Sequence, residues 1–441
     1  MQLARARLAL AVGTALTLAA TAGCGSGSTS SSSSQGAGQT AEKVTLTYSV
    51  WNDPVAVAAS KSLVSAFEKA NPTITVKTDT RPTGGEGDNV VKTRLSTGDM
   101  ADVFLYNSGS LLQALNPEKS LLDLTGDAAL KNVKQEFLPA VTQGGKVYGV
   151  PFNTAMGGGV VYNKKVYNQL GLQVPKTWQE FEANNDKIKA AGITPVVAAY
   201  KDAWTAQLFV LANQYNVQAK TPDWAAKYTA NQVKFASDPA ALQGFQYIEE
   251  ARTKGWNQRS AGSTTHDQAV ALLAQGKAAH YPMLTFVAGA VAEKFPAAAQ
   301  DIGFFGLPGD AAKPGTTLWL PDALYISANA KQKEAAKKFL AFVASPEGVA
   351  AYEQGAKPTG PFLVNGATLP ADVLPAVKDL QAYLDSGAVA PALEFVSPVK
   401  GPSLDKITAA VGTGATSAQD GAAQYDRDVE KQAKQLKLPG W

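Results

Sequence analysis

The chain has 441 residues, 45% of them apolar, which is enough for two or three compact units with proper cores. Its 40 basic and 37 acidic residues nearly cancel, with no run of five or more like charges, which argues against a nucleic-acid partner. One cysteine, Cys24, and two histidines without metal-ligand spacing, His266 and His280, leave no basis for a zinc site or a cysteine nucleophile.

At the N-terminus, MQLARAR carries two arginines and leads into the apolar run LALAVGTALTLAATAG, just before Cys24. This order predicts an export signal over 1–23, because the run is short for a membrane span and its flanks suit cleavage. Thr21-Ala22-Gly23-Cys24 resembles a bacterial lipobox, with Thr21 where leucine is usual. The alternative is an ordinary signal peptide with an incidental small thiol. Gly25 to Thr40, GSGSTSSSSSQGAGQT, has no apolar area to bury and reads as a flexible tether. Residues 24–43 are therefore expected to form a lipid anchor and leash, holding the body roughly 20 Å or more from the outer face of a bacterial cell membrane. Loss of Arg5 and Arg7 lowers the net charge from +3 to +1.

The body opens with VTLTYSVW (44–51), where Val44, Leu46 and Tyr48 alternate with polar residues as in a strand. VAVAASKSLVSAFEKANP then reads as a helix with Leu63, Phe67 and Ala70 on one face, stopped by Asn71-Pro72. ITVKTDT and ADVFLYN follow as strands, giving the alternation of an α/β sheet. A second region begins at VVYN. Thr177 with Glu180 predicts a capping box on a helix carrying Trp178, Phe181 and Ile188, ended by Gly192. ITPVVAAY, AAHYPML, DIGFFGLP and LYIS read as further strands. Helices are expected near 203–215, 238–254 and over KQKEAAKKFLAFVAS.

Between the two regions lies VPFNTAMGGGVVYNK (150–164). A phosphate loop needs its glycines between a strand and a helix N-terminus, whereas Gly157, Gly158 and Gly159 lead into strand-like Val160-Val161-Tyr162 with no Lys-Ser/Thr following. A chain crossing between lobes, or close backbone approach to a ligand, suits these glycines better. No G-x-S-x-G motif occurs. A pair of glycosidase carboxylates is not visible in sequence, and pairs such as Glu249-Glu250 read as solvated helix faces.

The positive signal is aromatic. Trp51, Tyr106, Phe152, Trp204, Phe286 and Trp319 each fall at or just past an expected strand end, often beside Asn, Asp or Thr. Ligands of open α/β sheets bind outside the carboxyl ends of strands, and aromatic faces with amides and carboxylates suit sugars. Any one of these rings taken alone is better read as core.

GKVYGVPFNTAMGGGVVYNKKVYNQLGLQVPKTWQEFEA closely resembles a segment of the extracellular solute-binding proteins of ABC sugar importers. LVSAFEKANP, TGDMADVFLY, TTHDQAVALLAQGKAAHYPMLTF, DIGFFGLPG and SANAKQKEAAKKFLAFVASPEGVAAY match further family segments in order. The resemblance implies an α/β clamshell of two lobes, each a mainly parallel sheet flanked by helices, with one lobe formed by 44–151 and 304–357. The other would comprise 152–303 and 358–441. It implies a monomeric, non-enzymatic protein without cofactors, partnered by a carbohydrate and by ABC permease subunits. Carried over by motif, the site residues are Trp51, Asn52, Asp53, Tyr106, Asn107, Phe152, Asn153 and Thr154 from the first lobe and first crossing. Tyr200, Asp202, Trp204, Met283 and Phe286 would come from the second lobe, and Trp319 and Asp322 from the returning chain. Leu284-Thr285-Phe286 stands where many relatives have a Gly-Ser/Pro-Trp turn, placing a smaller ring there. A surface-anchored glycosidase, and the same clamshell holding a non-sugar solute, are the alternatives.

Overall fold

The computed structural model describes residues 43–441, so the expected signal segment, Cys24 and its tether lie outside the described residues. In chain order the first strands are β1 (Val44–Trp51), β2 (Ile74–Arg81), β3 (Val103–Asn107), β4 (Gly149–Pro151), β5 (Met156–Asn163) and β6 (Thr194–Val196). They are followed by β7 (Ala278–Leu284), β8 (Ile302–Gly306), β9 (Thr316–Trp319), β10 (Asp322–Ile326) and β11 (Val389–Pro391). A separate hairpin joins Thr142–Gln143 to Lys146–Val147.

Two sheets result. The first has the order β2-β1-β3-β10-β4 and the second β11-β9-β5-β7-β6, with β8 also on β5. Both are mixed rather than mainly parallel. β1 runs parallel to β2 and β3, but β10 is antiparallel to β3 and β4. The reason is the crossing: β3 runs towards the edge at which β10 enters from the other sheet, so β10 must run away from it. By the same geometry β7, β8 and β9 are antiparallel to β5. Strand β9 and residues 304–306 of β8, which the expected division places in the first lobe, therefore lie in the second sheet, and the return falls at Leu320-Pro321.

The first lobe's core forms where the Pro54–Ala70 helix crosses β1. Asp53 caps this helix by accepting the Ala56 N–H at 2.9 Å, and Pro54 occupies the first turn, where its missing N–H costs nothing. Leu63 and Phe67 are buried, whereas Ala70 is exposed at the helix end. Phe339 packs edge-on to Phe67 and Tyr48, with ring centres 5.0 and 5.3 Å away. In the second lobe, Trp178 stacks on Tyr247 at 3.6 Å, and Phe181 lies against His280. Thr177 caps the Trp178–Ala190 helix, but the Glu180 carboxylate reaches the Lys176 N–H at 2.6 Å, so the box closes one residue early. His280 is a core residue between Tyr167 and Asn185, its pKa lowered to about 3 by burial.

The three glycines lie inside β5, the central strand of the second sheet, and not in a loop. None has a positive φ. Their role is space. A Cβ on Gly157 would meet Leu380 and Phe304 at 2.7 Å, one on Gly158 would enter the Trp319 ring, and one on Gly159 would strike the β8 backbone. A side chain at any of them would push a neighbouring strand or ring off β5.

The chain passes between the sheets three times: at 152–155, at Leu320-Pro321, and again after the Pro346–Gly355 helix. In the third passage Ala155 N–H donates to Pro361 O at 2.8 Å, tying it to the first. The Pro375–Asp385 helix then packs on β8, and the two C-terminal helices pack on the Pro239–Thr253 helix.

Candidate ligand-binding cleft

Strand register fixes where the two sheets face each other. In the first sheet Asp322 pairs with Asn107 and Ala323 with Pro151, while β1 ends at Trp51, so these residues share one edge. In the second, Trp319 pairs with Met156 and Leu284 with Gly158, so β9 and β7 end where β5 begins. The two short crossings join these edges. The strand ends that an α/β sheet offers to a ligand therefore meet between the lobes.

A cavity of about 360 Å³ sits on the first-lobe edge. Its lining includes Trp51, Asp53, Asn107, Phe152, Asn153 and Asp322, which the sequence reading had singled out at separate positions along the chain. Asp322 accepts the Asn153 side-chain N–H at 2.6 Å. Burial raises its pKa from 3.8 to about 7, opposed by that hydrogen bond and assisted by the nearby Asp53 carboxylate. Asp88 also lines the cavity, and burial raises its pKa while Lys92 and Arg81 act the other way. Arg81 is almost fully buried, donates to Leu105 O, and stands 5.8 Å from the centre of the Trp51 ring. Its burial lowers the guanidinium pKa to about 10.

The second lobe carries a separate aromatic group. Trp204 is 41% exposed, with its ring 5.0 Å from His266 and 6.4 Å from Phe286. His266 is held from two sides: its backbone N–H donates to Asp202 at 2.6 Å, and its Nδ1 lies 2.9 Å from the Tyr281 hydroxyl. A complete capping box between Thr265 and Gln268 starts its helix. Phe286 opens the Phe286–Lys294 helix directly after β7, two residues past the Leu284–Gly158 pair at the end of the second sheet.

Six expected residues lie elsewhere. Asn52 is exposed and outside the cavity lining, with its N–H donating to Arg81 O. Tyr106 is buried in β3, because the alternation that presents Asn107 turns its neighbour inward. Thr154 is buried against Thr359 of the third passage, with hydroxyls 3.2 Å apart. The Tyr200 ring packs on Gly412 of the Leu404–Thr413 helix. Met283 is buried within β7. Trp319 is only 5% exposed, lies over Gly158, and donates its indole N–H to Glu394 at 3.0 Å.

Helices that the strand-end reading does not reach also supply lining residues, among them Asp88 from the Gly84–Thr97 helix and Tyr352 from the Pro346–Gly355 helix. The Gly-rich RPTGGEGD stretch directly after β2 was the available signal for Asp88. Tyr352 meets Phe152 edge-on at 5.9 Å. Among the described residues, no group of three or more His, Cys, Asp or Glu is placed to hold a metal ion. What the cleft offers is aromatic faces beside carboxylate acceptors and amide donors, an arrangement for binding a polyhydroxylated molecule.

Two α/β lobes joined by three passages, with a polar-aromatic cavity at the facing strand ends, define a clamshell solute-binding protein. Residues 51–350 match the bacterial extracellular solute-binding protein family, and the chain belongs to it. The family and its relatives are binding proteins, not enzymes, and they act outside the cytoplasm. The chain is 30% identical over 324 residues to the multiple sugar-binding protein of Streptococcus mutans, covering 72% of this chain and 75% of that one. It is 24% identical to the melibiose/raffinose/stachyose-binding protein MelE of Bacillus subtilis, over 70% of this chain and 72% of that one. Among solved structures, RafE of Streptococcus pneumoniae in its apo form superposes with a TM-score of 0.73 at 25% identity, covering 90% and 99% of the two chains. The complex of RafE with raffinose superposes at 0.67 with 26% identity, covering 90% and 100%. No helix among the described residues is long and apolar enough to cross a membrane.

Proposed function

We propose that this chain is the substrate-binding lipoprotein of an ABC importer, capturing a mono- or oligosaccharide between its lobes and delivering it to a membrane permease. The observation that carries this reading is the cavity at the strand ends, where Asp322, Asp53, Asn107 and Asn153 stand beside the Trp51 ring. The sugar-binding relatives support it. In this reading those residues bind hydroxyls from the first lobe, and hinge closure brings Trp204 and Phe286 over the opposite face of the sugar. One chain supplies both walls, so a monomer suffices.

Thermal-shift screening against a sugar panel tests the reading. At least one sugar is expected to raise the melting temperature and to be recovered chemically unchanged. Stabilisation by none of them would overturn the proposal, and hydrolysis would favour a glycosidase. Trp204→Ala is expected to change stability by no more than about 0.5 kcal/mol, since the ring is exposed, while weakening sugar binding about tenfold or more. Unchanged affinity would remove Trp204 from the site.

The anchor completes the proposal. Lipidation at Cys24 would tether the protein to the outer face of the cell membrane. Cys24→Ala is expected to move the protein from the membrane fraction to the medium or periplasm, and retention on the membrane would contradict a lipid anchor.

A further inference from the structure

The two histidines of the chain stand in opposite situations. His280 is sealed in the second-lobe core with both ring nitrogens taken, Nε2 by the Tyr167 hydroxyl at 2.7 Å and Nδ1 by the Asn185 side-chain oxygen at 2.9 Å. His266 is half-buried, and only its Nδ1 is taken. That nitrogen meets the hydroxyl of Tyr281, which is buried in β7, so the ring is held in one orientation. Its Nε2 bonds to no described residue and is open to water.

The open nitrogen belongs to the aromatic group of the second lobe. The His266 ring is 5.0 Å from that of Trp204 and 5.8 Å from that of Phe286. Neighbouring elements hold the group together: Asp202 accepts the His266 N–H, and Lys294, at the end of the Phe286–Lys294 helix, pairs with Asp267 at 2.7 Å. Thr285 exchanges two hydrogen bonds with Gly157 at the start of β5, at 3.0 and 3.1 Å, which sets Phe286 beside the first crossing. Burial lowers the His266 pKa, with Lys294 acting the same way and Asp267 and Asp202 against it. The ring is therefore neutral at pH 7, and Nε2 is either an acceptor or a single donor.

We propose that His266 Nε2 is a direct ligand contact, the polar member of the second-lobe aromatic group. Trp204 and Phe286 offer faces that pack on the C–H side of a sugar without fixing where its hydroxyls point. A ring nitrogen held in place by Tyr281 supplies that direction. A hydroxyl both donates and accepts, so it pairs with Nε2 in either tautomer. This rests on the carbohydrate reading above and adds to it a contact that selects among sugars by hydroxyl position.

Carbethoxylation of the full protein by diethyl pyrocarbonate reads Nε2 directly, with glucose, galactose, maltose and raffinose as the probes. Without sugar, one of the two histidines is expected to react, because His280 has no free nitrogen. A sugar that binds is expected to slow that reaction about tenfold or more at saturation. Two substitutions separate a ligand contact from a scaffold role. His266→Asn places its amide over Nδ1, which keeps the Tyr281 bond and loses Nε2, whereas His266→Gln reaches the Nε2 position and gives up the Tyr281 bond. His266→Asn is expected to cost about tenfold in sugar affinity with the unliganded melting temperature little changed, and His266→Gln to cost less affinity. The reverse order of affinities, or a sugar that binds without protecting His266, would overturn the inference alone. Binding by none of these sugars would overturn the carbohydrate reading together with it.

Discussion

Trp319→Ala is expected to destabilise the protein by about 3–5 kcal/mol, the usual cost of emptying a buried tryptophan site. Trp319 lies at the end of β9, but its ring is buried over Gly158, and its N–H is committed to Glu394. Gly158→Ala is expected to cost about 1–3 kcal/mol by overpacking, since its Cβ would enter that ring. The two substitutions should not add. Once the ring is gone, the methyl group at 158 enters vacant space, so Gly158→Ala in the Trp319→Ala background should be close to neutral. Chemical denaturation of the two single variants and the double variant gives the coupling directly. Additive losses would contradict the packing account of the three glycines.

Asp322→Asn is expected to move stability and affinity in opposite directions. The carboxyl has its pKa raised from 3.8 to about 7 in the folded protein. Between those values the folded state holds a proton that the unfolded chain has released, so stability falls as pH rises from about 4 to about 7 and then levels off. Asparagine keeps an oxygen to accept from Asn153 and removes this penalty, so the unliganded variant should be more stable than the parent above pH 7. A sugar hydroxyl donating to Asp322 favours the ionised form, so affinity should rise with pH through 7, and binding near pH 6.5 should release protons. Losing that charged acceptor should weaken sugar binding about ten- to a hundredfold. A variant that loses stability at pH 8, or that binds as well as the parent, would place Asp322 in the scaffold instead.

Much of this architecture is legible in the sequence because it is written in local patterns. VTLTYSVW alternates and forms β1 over the same eight residues, and Asp53-Pro54 marks the helix start. The strand-end argument collects Trp51 and Phe152, and the family resemblance adds Asn107, Asn153 and Asp322, all of which line the cavity. The strand-end argument misplaces Tyr106 and the resemblance misplaces Met283, because strand parity, one residue either way, decides whether a side chain meets the cleft or the core. Trp319 illustrates a different limit: its burial depends on Gly158, a neighbour only through the pairing of β9 with β5. The same long-range pairing assigns DIGFFGLP to the second sheet, although its composition suits a buried strand in either. Asp88 and Tyr352 reach the cavity from helices, where no strand-end pattern points to them.

Hydrogen–deuterium exchange with and without a bound sugar tests the central claim most directly, because it reads both walls of the cleft at once. The account predicts slowed exchange on the first lobe at 51–56, 83–88, 105–111 and 152–155, and simultaneously on the second at 202–206 and 284–290. Protection confined to one lobe would contradict a ligand held between the two.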